Sequence, residues 1–190
     1  MANEVSNYII VENVNTEVTE KLKEIFKPNR REDSPFDIDV MTVDLVNRVY
    51  DNIWANGNKD YNRNWVVEVC GAKWFYGHIT NEEETRVSIR MVSAWDPVIG
   101  FVEKLAEVLS NIKEDIWIEH TFEDEAYLFA GVHLAAKDYT SDEWTDMDGW
   151  DVPKIREGGT YYEEFEDELR NLMESEVNYY LEYVKDNNDE

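Results

Sequence analysis

Residues 85–112, TRVSIRMVSAWDPVIGFVEKLAEVLSNI, change their period part-way along. Up to Trp95, the apolar Val87, Ile89 and Met91 alternate with polar partners, the two-residue repeat of a strand with one buried face. Beyond it Phe101, Leu105, Val108 and Leu109 recur three and four apart, which predicts a helix to about Ile112. Pro97 marks the switch, because its fixed φ suits a first helical turn. A strand that hands over to a helix, in a chain whose other strands come in hairpins, points to an α+β fold.

Towards the N-terminus, residues 4–13 read as a strand. Asn15 or Thr16 caps a helix with Glu17 in its first turn and Val18, Leu22, Ile25 and Phe26 on one face, ended by Pro28. Residues 28–39 read as a polar loop. Thr42 caps a second helix, striped by Leu45, Val46, Val49, Tyr50 and Ile53, that ends near Asn56-Gly57. After a loop over 58–64, the β-branched run Trp65–Cys70 reads as a strand, and Lys73–Thr80 as a further, irregular one. Asn81–Glu84 forms a hairpin turn.

Towards the C-terminus, residues 115–122 and 126–137 read as two strands joined at Glu123–Glu125. Residues 138–160 read as an acidic loop bearing Trp144 and Trp150. A long helix follows from Tyr161 to about Lys185, with Tyr162, Phe165, Leu169, Leu172, Met173, Val177, Tyr180 and Val184 as its apolar stripe. The order β-α-α-β-β-β-α-β-β-α predicts a ferredoxin-like split β-α-β antiparallel sheet with an extra helix and strand. Its parts are an α+β core over 1–137, the acidic loop over 138–160, and an acidic amphipathic helix over 161–190 packed on the core.

The charge is uneven. Residues 138–190 hold 18 acidic side chains against four basic ones, so net −14 of the chain's −25 lies in its last 53 residues. Charge of one sign favours solubility and cationic partners. It opposes a grip on nucleic-acid phosphates, which needs Lys and Arg. The one basic cluster, Lys27, Arg30 and Arg31, is followed directly by Glu32-Asp33, so direct nucleic-acid binding is not expected. With 43 % hydrophobic and 13 % aromatic residues the chain can build a core. The lone Cys70 fits a reducing compartment, and its position at an apolar run marks it as a small core residue. The opening residues carry no signal-peptide pattern and no apolar run approaches a membrane span. A cytoplasmic protein, monomeric or a small homo-oligomer, is expected.

No catalytic signature stands out, so an enzyme is not the favoured expectation. His78, His120 and His133 lie in separate predicted strands, without the spacing of a metal motif; a meeting of His120 with Glu123 is the alternative to reading His120 as a solvated strand residue. The run Asp142, Glu143, Asp146, Asp148, Gly149, Asp151 resembles a calcium loop but places Trp144 and Ile155 where its first and last ligands belong. No cofactor is expected. The Gly158-Gly159 pair is flanked by Glu157 and Glu163-Glu164, which would repel a phosphate, and reads as a flexible lead-in.

Gly71-Ala72-Lys73-Trp74, Ser93-Ala94-Trp95-Asp96-Pro97 and Ala126–Gly131, with Asn3…Asn7, resemble a phage and plasmid family typified by the plasmid protein YubB. The resemblance covers roughly residues 1–137. Glu4 stands where that family carries Trp, and Val98 where it often has a second Pro. It implies a ferredoxin-like domain and a mobile-element origin in a bacterial cytoplasm, with no mechanism attached.

Two candidate sites follow. The first is an acidic face for a basic, nucleic-acid-binding host protein, made of Asp142, Glu143, Asp146, Asp148, Glu163, Glu164, Asp167, Glu168 and Glu174. It would act as a nucleic-acid mimic against a nuclease, a polymerase or a defence complex. The alternative is a pocket for a small ligand or an enzymatic reaction at Lys73, Trp74 and Trp95, where Lys73 has no evident packing role.

Overall fold

The computed structural model describes residues 3–28, 38–51, 53, 54 and 61–188. It is an α+β protein built on one six-stranded antiparallel sheet. In chain order come β1 (Glu4–Glu12), α1 (Thr16–Ile25), α2 (Ile38–Val49), α3 (Arg63–Cys70), β2 (Phe75–Glu82), β3 (Arg86–Ala94), α4 (Ile99–Ser110), β4 (Trp117–Asp124), β5 (Ala130–Ala136) and β6 (Tyr139–Trp144). A 3-10 turn (Met147–Gly149), α5 (Val152–Glu157) and α6 (Thr160–Asn188) complete it. The strands lie in the order β2-β3-β1-β4-β5-β6.

Each strand sorts its residues between two faces. Val5, Ile9 and Val11 of β1, Val87, Ile89 and Met91 of β3, and Ile118 and Phe122 of β4 are all buried. Most of them join one cluster with α1–α4, including Val18, Leu22, Val46, Phe101 and Leu105. The opposite face is clad on one side only. There Ala130 and Val132 of β5 meet Phe165, Leu169 and Met173 of α6, and Leu134 and Ala136 meet Tyr180.

The boundaries of α1 follow from its caps. The Asn15 side chain accepts from the Val18 N–H at 2.9 Å, and the helix ends at Ile25. Three other sequence expectations need correction. Trp65–Cys70 is the helix α3, not a strand: the Asn62 side chain caps its start, Gly71 ends it with φ +92°, and only Val66 and Cys70 turn fully inward. Thr42 sits inside α2 rather than at its cap. Its hydroxyl donates to the Phe75 carbonyl and accepts from the Phe75 N–H, tying α2 to β2. Residues 138–160 are not a loop: they hold β6, the 3-10 turn and α5. Arg30, Arg31 and the expected helix end at Asn56-Gly57 lie outside the described residues.

Helices α3 and α4 approach to backbone contact. A Cβ on Gly100 would stand 2.0 Å from the Val69 carbonyl oxygen. Glycine is what permits this crossing.

Candidate functional site: the acidic helix and the cleft beneath it

Asn7 and Ser93 build a buried polar joint. Asn7 donates to the Val5 carbonyl (3.0 Å) and to the Ser93 hydroxyl (2.9 Å). Ser93 in turn donates to the Asp96 carbonyl at 2.7 Å. The Asn7 amide oxygen accepts from the Val98 N–H at 3.2 Å, at the start of α4, and lies 2.9 Å from His120 Nε2. One side chain thus ties β1, β3, β4 and the entry to α4 together. Fully buried polar groups need such partners, and this accounts for Asn7 and Ser93 structurally.

The strand positions expected for the three histidines are correct, but the solvated reading of His120 is not. His78 is exposed, whereas His120 and His133 are buried between the sheet and α4, with their rings 5.7 Å apart. Burial, and secondarily His133, holds the His120 imidazole well below its ordinary range. His133 Nε2 lies 3.7 Å from Glu103 of α4. His120 and Glu123 point to opposite faces of β4. Among the described residues no group of three or more His, Cys, Asp or Glu is placed to hold a metal ion.

Lys73 and Trp95 meet, with the ammonium 5.6 Å above the indole. Trp95 is 54 % exposed and adopts φ +79°. Trp74 stacks on Tyr76 at 6.2 Å instead. Lys73, Trp74 and Trp95 line none of three cavities found among the described residues.

The acidic candidates fall into two groups. Glu163, Glu164, Asp167, Glu168 and Glu174 stand on α6, all exposed except half-buried Glu168. Only Asp167 among them has an ion pair within the described residues, with Arg170. The anchoring of α6 is aromatic: Phe165 packs edge-on to Trp150 at 5.2 Å and to Tyr127 at 5.9 Å, while Tyr180 meets Trp117 and Tyr139. Asp142, Glu143, Asp146 and Asp148 lie on β6 and the turn after it. Asp142 accepts from the Trp144 indole N–H at 2.7 Å, and Asp146 caps the 3-10 turn through the Asp148 N–H. Asp142 pairs with His133 and Glu143 with Val132 across β5, so the two carboxylates occupy opposite faces of the sheet.

A feature that sequence reading did not reach is the cleft between the outer face of the sheet and α6. Two adjoining cavities of about 390 and 610 Å³ share Ile10, Glu119, Arg170 and Met173. Tyr8, Thr121, Glu123, Tyr162 and Glu166 line the first, and Arg86, Glu174 and Val177 the second. Glu123 accepts from the Tyr8 hydroxyl at 3.3 Å, and Glu119 from the Trp117 indole N–H at 3.2 Å. Burial pushes the carboxyls of both Glu119 and Glu123 above the usual range, and the charge of Glu166 raises Glu123 further. The Tyr162 hydroxyl is pushed up by burial and by Glu123 and Glu166. Partly desolvated carboxylates beside phenols in a concave site are an arrangement typical of binding sites. The alternation Glu119, Thr121, Glu123 was the one available signal for it.

No family model, curated protein or solved structure matches the chain. No helix among the described residues is long and apolar enough to cross a membrane.

Proposed function

We propose that the protein is a phage-type acidic interaction protein of the YubB-like kind, working in a bacterial cytoplasm. Its outward α6 face, with the β6–α5 segment, engages a basic host protein as a nucleic-acid mimic. The observation that carries this is the row Glu163, Glu164, Asp167, Glu168 and Glu174 on a 29-residue helix, neutralised only at Asp167 among the described residues. Carboxylates three and four apart on a helix stand about 5–6 Å from one another, comparable to neighbouring phosphates on a strand. The aromatic stripe makes the row rigid, and preorganisation lowers the entropic cost of binding. Trp144, 45 % exposed beside Asp142, supplies an aromatic anchor at the edge of the same region. The order β2-β3-β1-β4 supports a ferredoxin-like core, to which β5 and β6 are additions.

The test is charge reversal. Purified protein is used to capture partners from bacterial lysate at low and high salt. A nucleic-acid-binding protein released by salt, and lost with Glu163→Lys, Glu164→Lys and Asp167→Lys combined, is expected. Retention by the reversed variant sinks the proposal. A second function, small-ligand or enzymatic, at Lys73, Trp74 and Trp95 is favoured by one observation, the exposed Trp95 in a left-handed backbone conformation. It predicts a ligand-induced rise in melting temperature that Lys73→Ala abolishes.

A further inference from the structure

We propose that the cleft between the outer sheet face and α6 is a binding site for a linear aliphatic polyamine, an extended chain of two or three ammonium groups joined by methylenes. The proposal does not rest on the outward acidic row, with which the cleft shares Glu174 alone.

The cleft has the three parts such a ligand needs. Its floor is apolar where the two cavities meet, at Ile10 and Met173, with Leu169 beside them. Methylenes gain by leaving water for such a surface. Its ends are anionic: Glu123 and Glu166 line one cavity, Glu174 the other, and Glu119 both. Glu119 and Glu123 lie four residues apart on one face of β4, about 13 Å. Glu166 and Glu174 are separated by about 12 Å along α6. The two rows therefore match in length, and their span is that of an extended triamine. Third, the Glu123 end carries Tyr8 and Tyr162 on opposite walls; the Arg90 guanidinium already stands 5.4 Å from the centre of the Tyr8 ring, so the phenol face left to attract an ammonium group is that of Tyr162.

The charges present satisfy one another only in part: Arg86 and Arg90 act on Glu119 and Glu123 through space, without an ion-pair contact. The two arginines of the cleft are engaged by carboxylates on its rim, Arg86 by Glu12 and Arg170 by Asp167. Glu119, Glu123, Glu166 and Glu174 have no ion pair among the described residues. Glu123 and Glu166 oppose each other from β4 and α6, and an ammonium between them relieves their repulsion. A compact metal ion fits poorly, because no three ligands converge among the described residues. An anion meets the wrong charge.

The experiment is titration calorimetry with spermidine at constant ionic strength. Diffuse attraction to a chain of charge −25 is the competing explanation, so the controls are matched in charge. One saturable site per chain is expected. Glu119→Gln with Glu123→Gln should weaken it about tenfold or more, a loss of about 1.4 kcal/mol. Glu163→Gln with Glu164→Gln, the same charge change outside the cleft, should move it less than about twofold by the same conversion. The shorter diamine putrescine, which reaches one end only, should bind more weakly than spermidine. Circular dichroism checks each variant. If the first pair impairs folding, Glu166→Gln with Glu174→Gln, both exposed, takes its place with the same expected loss. Absence of a saturable site overturns the proposal, as do equal losses from cleft and outer pairs.

Discussion

Replacing Gly100 by Ala sets two effects of opposite sign against each other. In the first turn of α4, Ala gains about 1 kcal/mol over Gly through helix propensity. The structure opposes this. The new Cβ would stand 2.0 Å from the Val69 carbonyl oxygen and 3.0 Å from its carbon. Both are backbone atoms at the end of α3, so no side-chain rotation relieves the overlap. α3 has to move by more than an ångström, and Val66 and Cys70, both fully buried, move with it. Overpacking of this kind costs about 1–3 kcal/mol. A shift of α4 also strains the bond from the Tyr50 hydroxyl to the Gly100 carbonyl, now 3.1 Å, worth about 1 kcal/mol. Sterics win, with a net loss of about 2 kcal/mol once the propensity gain is subtracted. For a chain of this size that lowers Tm by about 4–8 °C. Urea unfolding followed by tryptophan fluorescence is the assay, with a lower midpoint and an unchanged slope expected. Gly149→Ala is the control, since a Cβ there meets nothing within 4 Å. If Gly100→Ala proves as stable as the parent, the close crossing of α3 and α4 is wrong.

Further outcomes concern buried groups. His120, held neutral by burial, takes up a proton more readily when unfolded. Its contribution is therefore complete above the ordinary imidazole range and lost as pH falls below it, by up to about 1.4 kcal/mol per pH unit. Glu119 and Glu123, raised by burial, act in the opposite sense at lower pH. Urea midpoints at neutral and mildly acidic pH should diverge in the parent and draw together in His120→Gln; an unchanged gap refutes the assignment. Phe165→Ala removes the centre of the α6 contact and should cost about 3–5 kcal/mol. Hydrogen exchange should then show lost protection over 160–188 before the strands; uniform loss would contradict this order. The Cys70 thiol, pushed up to about 12 by burial, should react with thiol reagents only on unfolding, as a timed reaction in rising urea would show.

The sequence was most legible where local period and burial agree. β3 and α4 follow their two- and 3.6-residue patterns to within a residue or two. α3 misled because Trp65, Val66, Val67 and Val69 favour strands locally. Two caps and one packed face override that preference, and Val67 stays 44 % exposed. The Asn62 and Gly71 caps were visible in the sequence. β6 was hidden by its acidity, yet charge is how an edge strand avoids pairing with other sheets. The burial of His120 and His133 depends on which face of the sheet α4 covers, a tertiary fact. The outward α6 carboxylates were legible from helical spacing alone. The cleft was not, because β1, β4 and α6 all contribute to it, and β1 stands more than a hundred residues before the other two.

Gly158 and Gly159, both at positive φ with open space around them, join α5 to α6. Such a joint transmits almost no torque, so the pose of α6 is fixed by its own side chains alone. Under tension between the two termini the consequence is a mechanical order. The pull reaches α6 end-on and opens its contacts one after another, from Tyr180 towards Phe165. β1, hydrogen-bonded on both sides to β3 and β4, is loaded along its length and resists until many bonds break together. The molecule should therefore extend in two force steps, a low one that frees α6 and a high one that breaks the sheet.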